Sequence, residues 1–152
     1  MIFMVLALTL FWHSRAYASL KRIDKSMTIT DDGSHCIVLR LTDFVLNGKD
    51  TLTLSGTATS AFIINVSNQF SLTDNSKIVL SGGVLASNVL KVRGSKGGYV
   101  TLDKQSGLMG ILMANQRSVD IKDNASVRGE VIANSINLSA NARITSPSVV
   151  SP

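Results

Sequence analysis

Along the second half of the chain, apolar residues fall at every other position in short runs, with Asn, Asp, Ser and Gly between them. Phe70-Ser-Leu72, Val100-Thr-Leu102, Val119-Asp-Ile121 and Ile136-Asn-Leu138 each set two apolar side chains around one polar one. Such alternation predicts half-buried β-strands, because successive side chains of a strand point to opposite faces. The runs also recur. The stretch from Val100 to Asn115 can be laid on that from Val119 to Asn134 without a gap. The match sets Leu102 against Ile121, Leu108 against Val127, Gly110 against Gly129, Leu112 against Val131 and Ala114 against Ala133. A third copy opens at Ile136 and loses its pattern after Ile144, and a looser one takes in Phe70, Leu72, Ile78 and the stretch Gly83 to Asn88.

A unit of 17 to 19 residues holding two or three short strands cannot bury its own apolar side, whereas stacked copies share one interior. The predicted fold is therefore all-β: a β-solenoid (β-helix) of about five or six coils over residues 47–147, roughly 25–30 Å tall at a strand spacing of about 4.8 Å. Its interior ladders would be Phe70/Val100/Val119/Ile136 and Leu72/Leu102/Ile121/Leu138. Gly83, Gly110 and Gly129 each stand five residues before Asn88, Asn115 and Asn134. That spacing predicts a structural corner ladder in which Asn tolerates left-handed backbone and bonds the copy above or below. An ordinary β-sandwich would not require it. Residues 19–46 are the expected N-terminal cap, including a strand at Cys36-Ile-Val-Leu-Arg-Leu41, and 148–152 form a short tail. The open ends of such a stack invite self-association.

The first half adds a leader. Residues 2–12 form an apolar run, broken only by Thr9, that is too short to span a bilayer and ends near Ala16-Tyr17-Ala18, a small-x-small cleavage signature. Residues 1–18 are accordingly read as a signal peptide, with Ser19 the expected mature start and no membrane span in the mature form. No Lys or Arg precedes the apolar core, so the segment also fits an uncleaved anchor or the inner part of a longer leader. The expected location is secreted, extracellular or at the cell surface.

Composition narrows the chemistry. Hydrophobic residues make up 45% of the chain but aromatics only 5%, which suits pleated aliphatic surfaces. The net charge is +5, with no basic run longer than Lys21-Arg22 and no nucleic-acid module, so nucleic acid is not an expected partner. A single cysteine, Cys36, excludes an internal disulfide and reads as a buried thiol. His35 and Cys36 alone cannot make a zinc site, and neither metal nor cofactor is implied. Gly94-Ser-Lys-Gly-Gly98 lacks the ending of a phosphate-binding loop and reads as a turn between coils.

Ala61-Phe-Ile-Ile-Asn-Val66, Leu80-Ser-Gly-Gly83, Asn88-Val89, and then Gly110-Ile-Leu-Met-Ala-Asn115 and Gly129-Glu-Val-Ile-Ala-Asn134 carry a family resemblance. The chain resembles the secreted bacterial β-solenoids of the ice-binding-like and choice-of-anchor A families, over about residues 51–147. The resemblance implies extracellular placement and a right-handed, three-sided coil. Lys91 departs from it, standing where the family carries an aromatic, and the upstream coils and long flanking helix of the ice-binding branch are mostly missing, as in a shortened or divergent member.

Three functional readings follow. The first is a non-catalytic binding, adhesion or structural module that meets an extracellular matrix or surface polymer through a flat solenoid face. Arg93, Lys96, Arg117, Lys122 and Arg128 could give that face positive charge. The alternative is an ice-binding, antifreeze-like protein. Its candidate face is the outward set Ser71, Thr73, Thr101, Asp103, Asp120, Lys122, Asn137 and Ser139, of which the three charged members suit ordered water poorly. Thr51, Thr53, Thr57 and Thr59 form a second Thr-rich stretch, on one coil only. A β-helix polysaccharide-active enzyme is the least favoured: Glu130 is the only glutamate, and Asp103 and Asp120 lack a cleft to perturb them. The expectation is no enzyme.

Overall fold

The computed structural model describes residues 15–89, 98 and 100–146. Eleven strands are joined by parallel pairing throughout: β1 (Arg15–Ile23), β2 (Met27–Thr30), β3 (Cys36–Leu46), β4 (Thr51–Ser55), β5 (Ala61–Val66), β6 (Phe70–Leu72), β7 (Lys77–Ser81), β8 (Val100–Leu102), β9 (Gly107–Ile121), β10 (Ser126–Leu138) and β11 (Arg143–Thr145). One turn of 3-10 helix, Ala86–Asn88, interrupts them. The chain is a β-solenoid with three faces. The first face stacks β2, β4, β7, the start of β9, the start of β10 and β11. The second stacks the starts of β1 and β3, then β5, then Val89, and the middles of β9 and β10. The third stacks the ends of β1 and β3, then β6, β8 and the ends of β9 and β10. Six rungs on the first face make about five turns.

Alternation within each strand explains the interior. In β4 and β5 every second side chain is buried, and β9 alternates on either side of the exposed pair Asn115-Gln116; parallel register sets each buried residue above its like. Phe44, Phe70, Val100 and Val119 form one column on the third face, and Leu46, Leu72, Leu102 and Ile121 the next; all eight are fully buried. The two phenyl rings stack at 5.1 Å. The first face contributes Leu52, Ile78, Leu108 and Val127 in register. Full burial of each such side chain is worth about 1.5–3 kcal/mol, which lets short strands with no local stability of their own hold a long coil together.

The expected interior ladders are thus present, but the coil length is not uniform. Leu108 to Val127 and Val119 to Ile136 are steps of 19 and 17 residues, whereas Leu41 to Val66 is 25 and Phe70 to Val100 is 30. A search at the short period therefore places the start of the stack too late. The segment 19–46 carries β2 and most of β1 and β3, which pair within the same ladders as the later coils. β1 runs through the expected cleavage point, and its Arg15 to Leu20 lie in register with Cys36 to Leu41. The rest of the expected leader, Lys91 and most of the expected turn at 94–98 lie outside the described residues.

The corners set the spacing of the faces. Between the third and first faces five turns stack: Gly48-Lys49, Asp74-Asn75, Lys104-Gln105, Asp123-Asn124 and Ala140-Asn141 all have positive φ. Two consecutive left-handed residues make the type I′ pattern, which favours Asn, Asp and Gly. Each turn is tied to the next coil: Lys49 N–H donates to the Asp74 carbonyl, Asn75 to Lys104, Gln105 to Asp123 and Asn124 to Ala140, all at 2.9 Å. The residue after each of the middle three turns is small and fully buried: Ser76, Ser106, Ala125.

Candidate functional site

The eight residues expected to form a flat face do lie together. Ser71, Thr101, Asp120 and Asn137 are in direct register on the outside of the third face. Thr73, Asp103, Lys122 and Ser139 follow in the adjacent column, each backbone N–H donating to the rung before it. Five of the eight side chains engage one another or a neighbour. Lys122 Nζ sits 3.5 Å from the Asp103 carboxylate, and Asn137 Nδ2 donates to Asp120 at 2.7 Å. The Thr73 hydroxyl donates to Asp74 at 2.8 Å. That bond, with Lys104 beside it, holds the Asp74 carboxyl below its ordinary value. Asp103 and Asp120 sit in different columns, the first ion-paired with Lys122 and the second accepting from Asn137. This face is a charged, internally bonded β-surface.

The expected corner ladder divides. Gly110 and Gly129 are paired and buried, and Asn115 and Asn134 follow them at the bend into the third face. Gly83 and Asn88 stand elsewhere. A Cβ on Gly110 would meet Val89, not Gly83, and the Asn88 amide donates to the Ala58 carbonyl at 2.8 Å. The shared Gly-to-Asn spacing therefore does not mark the same corner in this coil. The repeating left-handed corner is instead the Asp74-Asn75 column. Its sequence signal is Thr73-Asp-Asn-Ser76, Asp103-Lys-Gln-Ser106, Lys122-Asp-Asn-Ala125 and Ser139-Ala-Asn-Ala142.

Of the five basic residues expected on a positive face, Arg117 and Lys122 are taken up elsewhere. Arg117 is buried; its Nε and Nη2 donate to the Gly98 carbonyl at 2.9 and 2.7 Å, and Nη2 also to the Asn68 carbonyl. It ties coils together rather than facing a ligand. Lys122 is ion-paired, and Arg93 and Lys96 lie outside the described residues. Cys36, expected to be buried, is half-buried because β3 turns Ile37 and Leu39 inward. Asp31, Asp32 and His35 bring their ligand atoms within 4.8 Å of one another. The loop already engages them: Gly33 N–H bonds Asp31, the Ser34 hydroxyl and N–H bond Asp32, and the Ser34 hydroxyl meets His35 Nδ1.

A second array emerges from the first face. Parallel register stacks Thr28, Thr53 and Val79 in one outward column, and Thr30, Ser55 and Ser81 in the next. Successive outward residues are about 6.7 Å apart along a strand and rungs about 4.8 Å apart, so the hydroxyls form a grid. No charge lies within these six positions. The sequence reading found only the Thr51–Thr53 member, since Thr28-Ile-Thr30 lies 25 residues upstream of its partner, beyond the short repeat. Nearer the second-to-third corner, Ser19, Lys21, Arg40, Thr42, Asn65 and Ser67 line an open groove of about 500 Å³.

Fold and surface together define a class: a three-faced parallel β-solenoid. The family model described as Ice-binding-like matches residues 39–144, more than half of the chain, and the chain belongs to that family. Among solved structures it is similar to an ice-binding protein (LeIBP) from an Arctic yeast, whose antifreeze activity that structure addresses. The TM-score is 0.63 at 20% identity, over 91% of this chain and 53% of that one. The chain thus spans about half the length of that neighbour. No curated protein matches it. Among the described residues no helix is long and apolar enough to cross a membrane.

Proposed function

We propose that this protein binds ice, using the Thr28/Thr53/Val79 and Thr30/Ser55/Ser81 grid of the first face. A crystal face is a two-dimensional lattice, so a surface that recognises it must repeat in two directions. The single observation that carries the reading is that register across β2, β4 and β7 gives such a repeat in small, uncharged side chains. Family membership and the Arctic yeast neighbour support it. The methyls of Thr and Val bring apolar surface to the plane, and the hydroxyls order the water between. The third face, with its Asp103–Lys122 pair, is the poorer candidate, since charges hold their own hydration shells.

The role is non-catalytic, and an extracellular location suits it. Export with cleavage after Ala18 would leave Ser19 to Ile23 of β1 on the stack; N-terminal sequencing of the secreted protein tests the point. Thermal hysteresis and ice-crystal shaping test the function. Faceted crystals and a freezing-point gap are expected of the protein and lost in Thr28→Lys/Thr53→Lys; unmodified ice growth at high protein concentration would end the reading.

One observation favours a second reading, a binding module for an acidic surface polymer: the open groove, with Lys21 and Arg40 on its walls beside Leu20 and Leu41. Retention on an acidic polysaccharide matrix at physiological salt, lost in Lys21→Glu, is its required outcome.

A further inference from the structure

Among the described residues, no rung lies over the last coil. Val119 and Ile121 are fully buried, yet Ile136 and Leu138, next in the same columns, are 41% and 51% exposed. Val131, Ala133, Ala142 and Ile144 are only partly covered. Beyond its first residues β10 pairs with β9 on one side alone, and β11 pairs only with β10. Unpaired strand edges over an apolar core recruit another strand unless charges, prolines or bulges block the way. Residues 131–142 contain no charge and no proline.

We propose that this C-terminal end of the solenoid is a self-pairing surface, occupied by the same end of a second copy. A charge-free rim offers a charged partner nothing to recognise, and it meets an identical rim without repulsion. The only charges flanking it on the last coil are Glu130 and Arg143, one of each sign. A two-fold axis through the third face at Asn137 sets the end of β10 antiparallel to its own copy. Ile136 then lies opposite Leu138 of the second copy on the inner side, and the two Asn137 amides meet on the outer side, both favourable cross-strand pairs. The same axis exchanges the other two faces, so the first-face edge of each copy meets the second-face edge of the other, again antiparallel because all three edges run the same way round the end. The contact is isologous and closes at two copies, whereas head-to-tail stacking would grow a fibre.

Sedimentation equilibrium of the full chain over a roughly hundred-fold concentration range should show a reversible monomer–dimer equilibrium. Leu138→Lys puts a charge into the proposed contact at a position already exposed. It should raise the dimer dissociation constant at least about tenfold with the β-sheet circular dichroism unchanged. Asn137→Cys in a Cys36→Ser background should form an interchain disulfide on air oxidation, because antiparallel neighbours lie about 4.5–5.5 Å apart, within disulfide reach. A monomer at every concentration, mass rising past two copies, or a dimer indifferent to Leu138→Lys would each overturn the proposal. So would a full chain that dimerises only once residues 147–152 are deleted, which would make those residues the occupant.

Discussion

A Cβ added to Gly129 would lie 1.8 Å from the carbonyl oxygen of Gly110 one rung away, and Gly129 itself has a φ of 152°. Two backbones approach here closely enough to exclude any side chain, at the bend where β9 and β10 pass from the first face to the second. Gly129→Ala should therefore destabilise the fold by about 3 kcal/mol or more, at the upper end of single-substitution effects. Gly110→Ala should cost less, since its nearest contact, the Val89 carbonyl, lies at 3.0 Å rather than 1.8 Å. Chemical denaturation of the two variants compares them directly.

The interior column offers a second test. Phe70 is fully buried and stacked on Phe44, so Phe70→Ala should cost about 3–5 kcal/mol in unfolding free energy. Equilibrium urea unfolding reads the change; a loss under about 1 kcal/mol would mean that the ring is not part of a packed interior.

At the stacked corner the backbone rather than the side chain is the constraint. Asn124 has a φ of 63°, so Asn124→Val should cost about 1–2 kcal/mol, the penalty for a β-carbon in left-handed backbone. Asn124→Gly should be nearly neutral. If both substitutions behave alike in thermal unfolding, the conformation of the turn is not what holds the coil.

Acid should weaken the same corner. The Thr73 hydroxyl and then Lys104 lower the Asp74 pKa in the folded state. A depressed carboxyl contributes stability above its unfolded value of about 3.9, and that contribution is lost as pH falls through the folded pKa. Asp74→Asn should therefore differ from the parent protein at pH 7 and converge with it at low pH. The group is solvent-exposed, so the difference should be small and should shrink with added salt.

The proposed ice face makes a paired prediction. Thr28→Lys/Thr53→Lys on the first face should abolish thermal hysteresis, and Thr101→Lys on the third should leave it intact. Both are surface changes, expected to shift stability by no more than about 0.5 kcal/mol per site. Equal loss from both faces would remove the assignment of function to the first.

Much of the third face was legible in the sequence. Val100, Val119 and Ile136 were aligned by type and lie in register, because a parallel stack places like aliphatics over one another and leaves a repeat in the chain. The eight outward residues followed from the same alignment. The first face was not legible, since Thr28 and Thr53 are separated by a longer coil whose corners absorb extra residues without disturbing the strands. Gly83 misled for the opposite reason: its spacing to Asn88 copies that of Gly110 to Asn115, while the coil carrying it is displaced.

Alternation of apolar and polar residues was sufficient by itself to determine strands, and their recurrence to determine a solenoid, because period-two patterns without a hairpin partner can bury their apolar side only by stacking. Which side chains share a face was decided by tertiary register, through the lengths of the corners. Left-handed pairs such as Asp74-Asn75, the inward Arg117 bonded to Gly98 and Asn68, and the uncovered Ile136 and Leu138 depend on what the neighbouring coil supplies. A linear pattern records a residue's chemistry and its position along the strand; it does not record whether another coil lies above it.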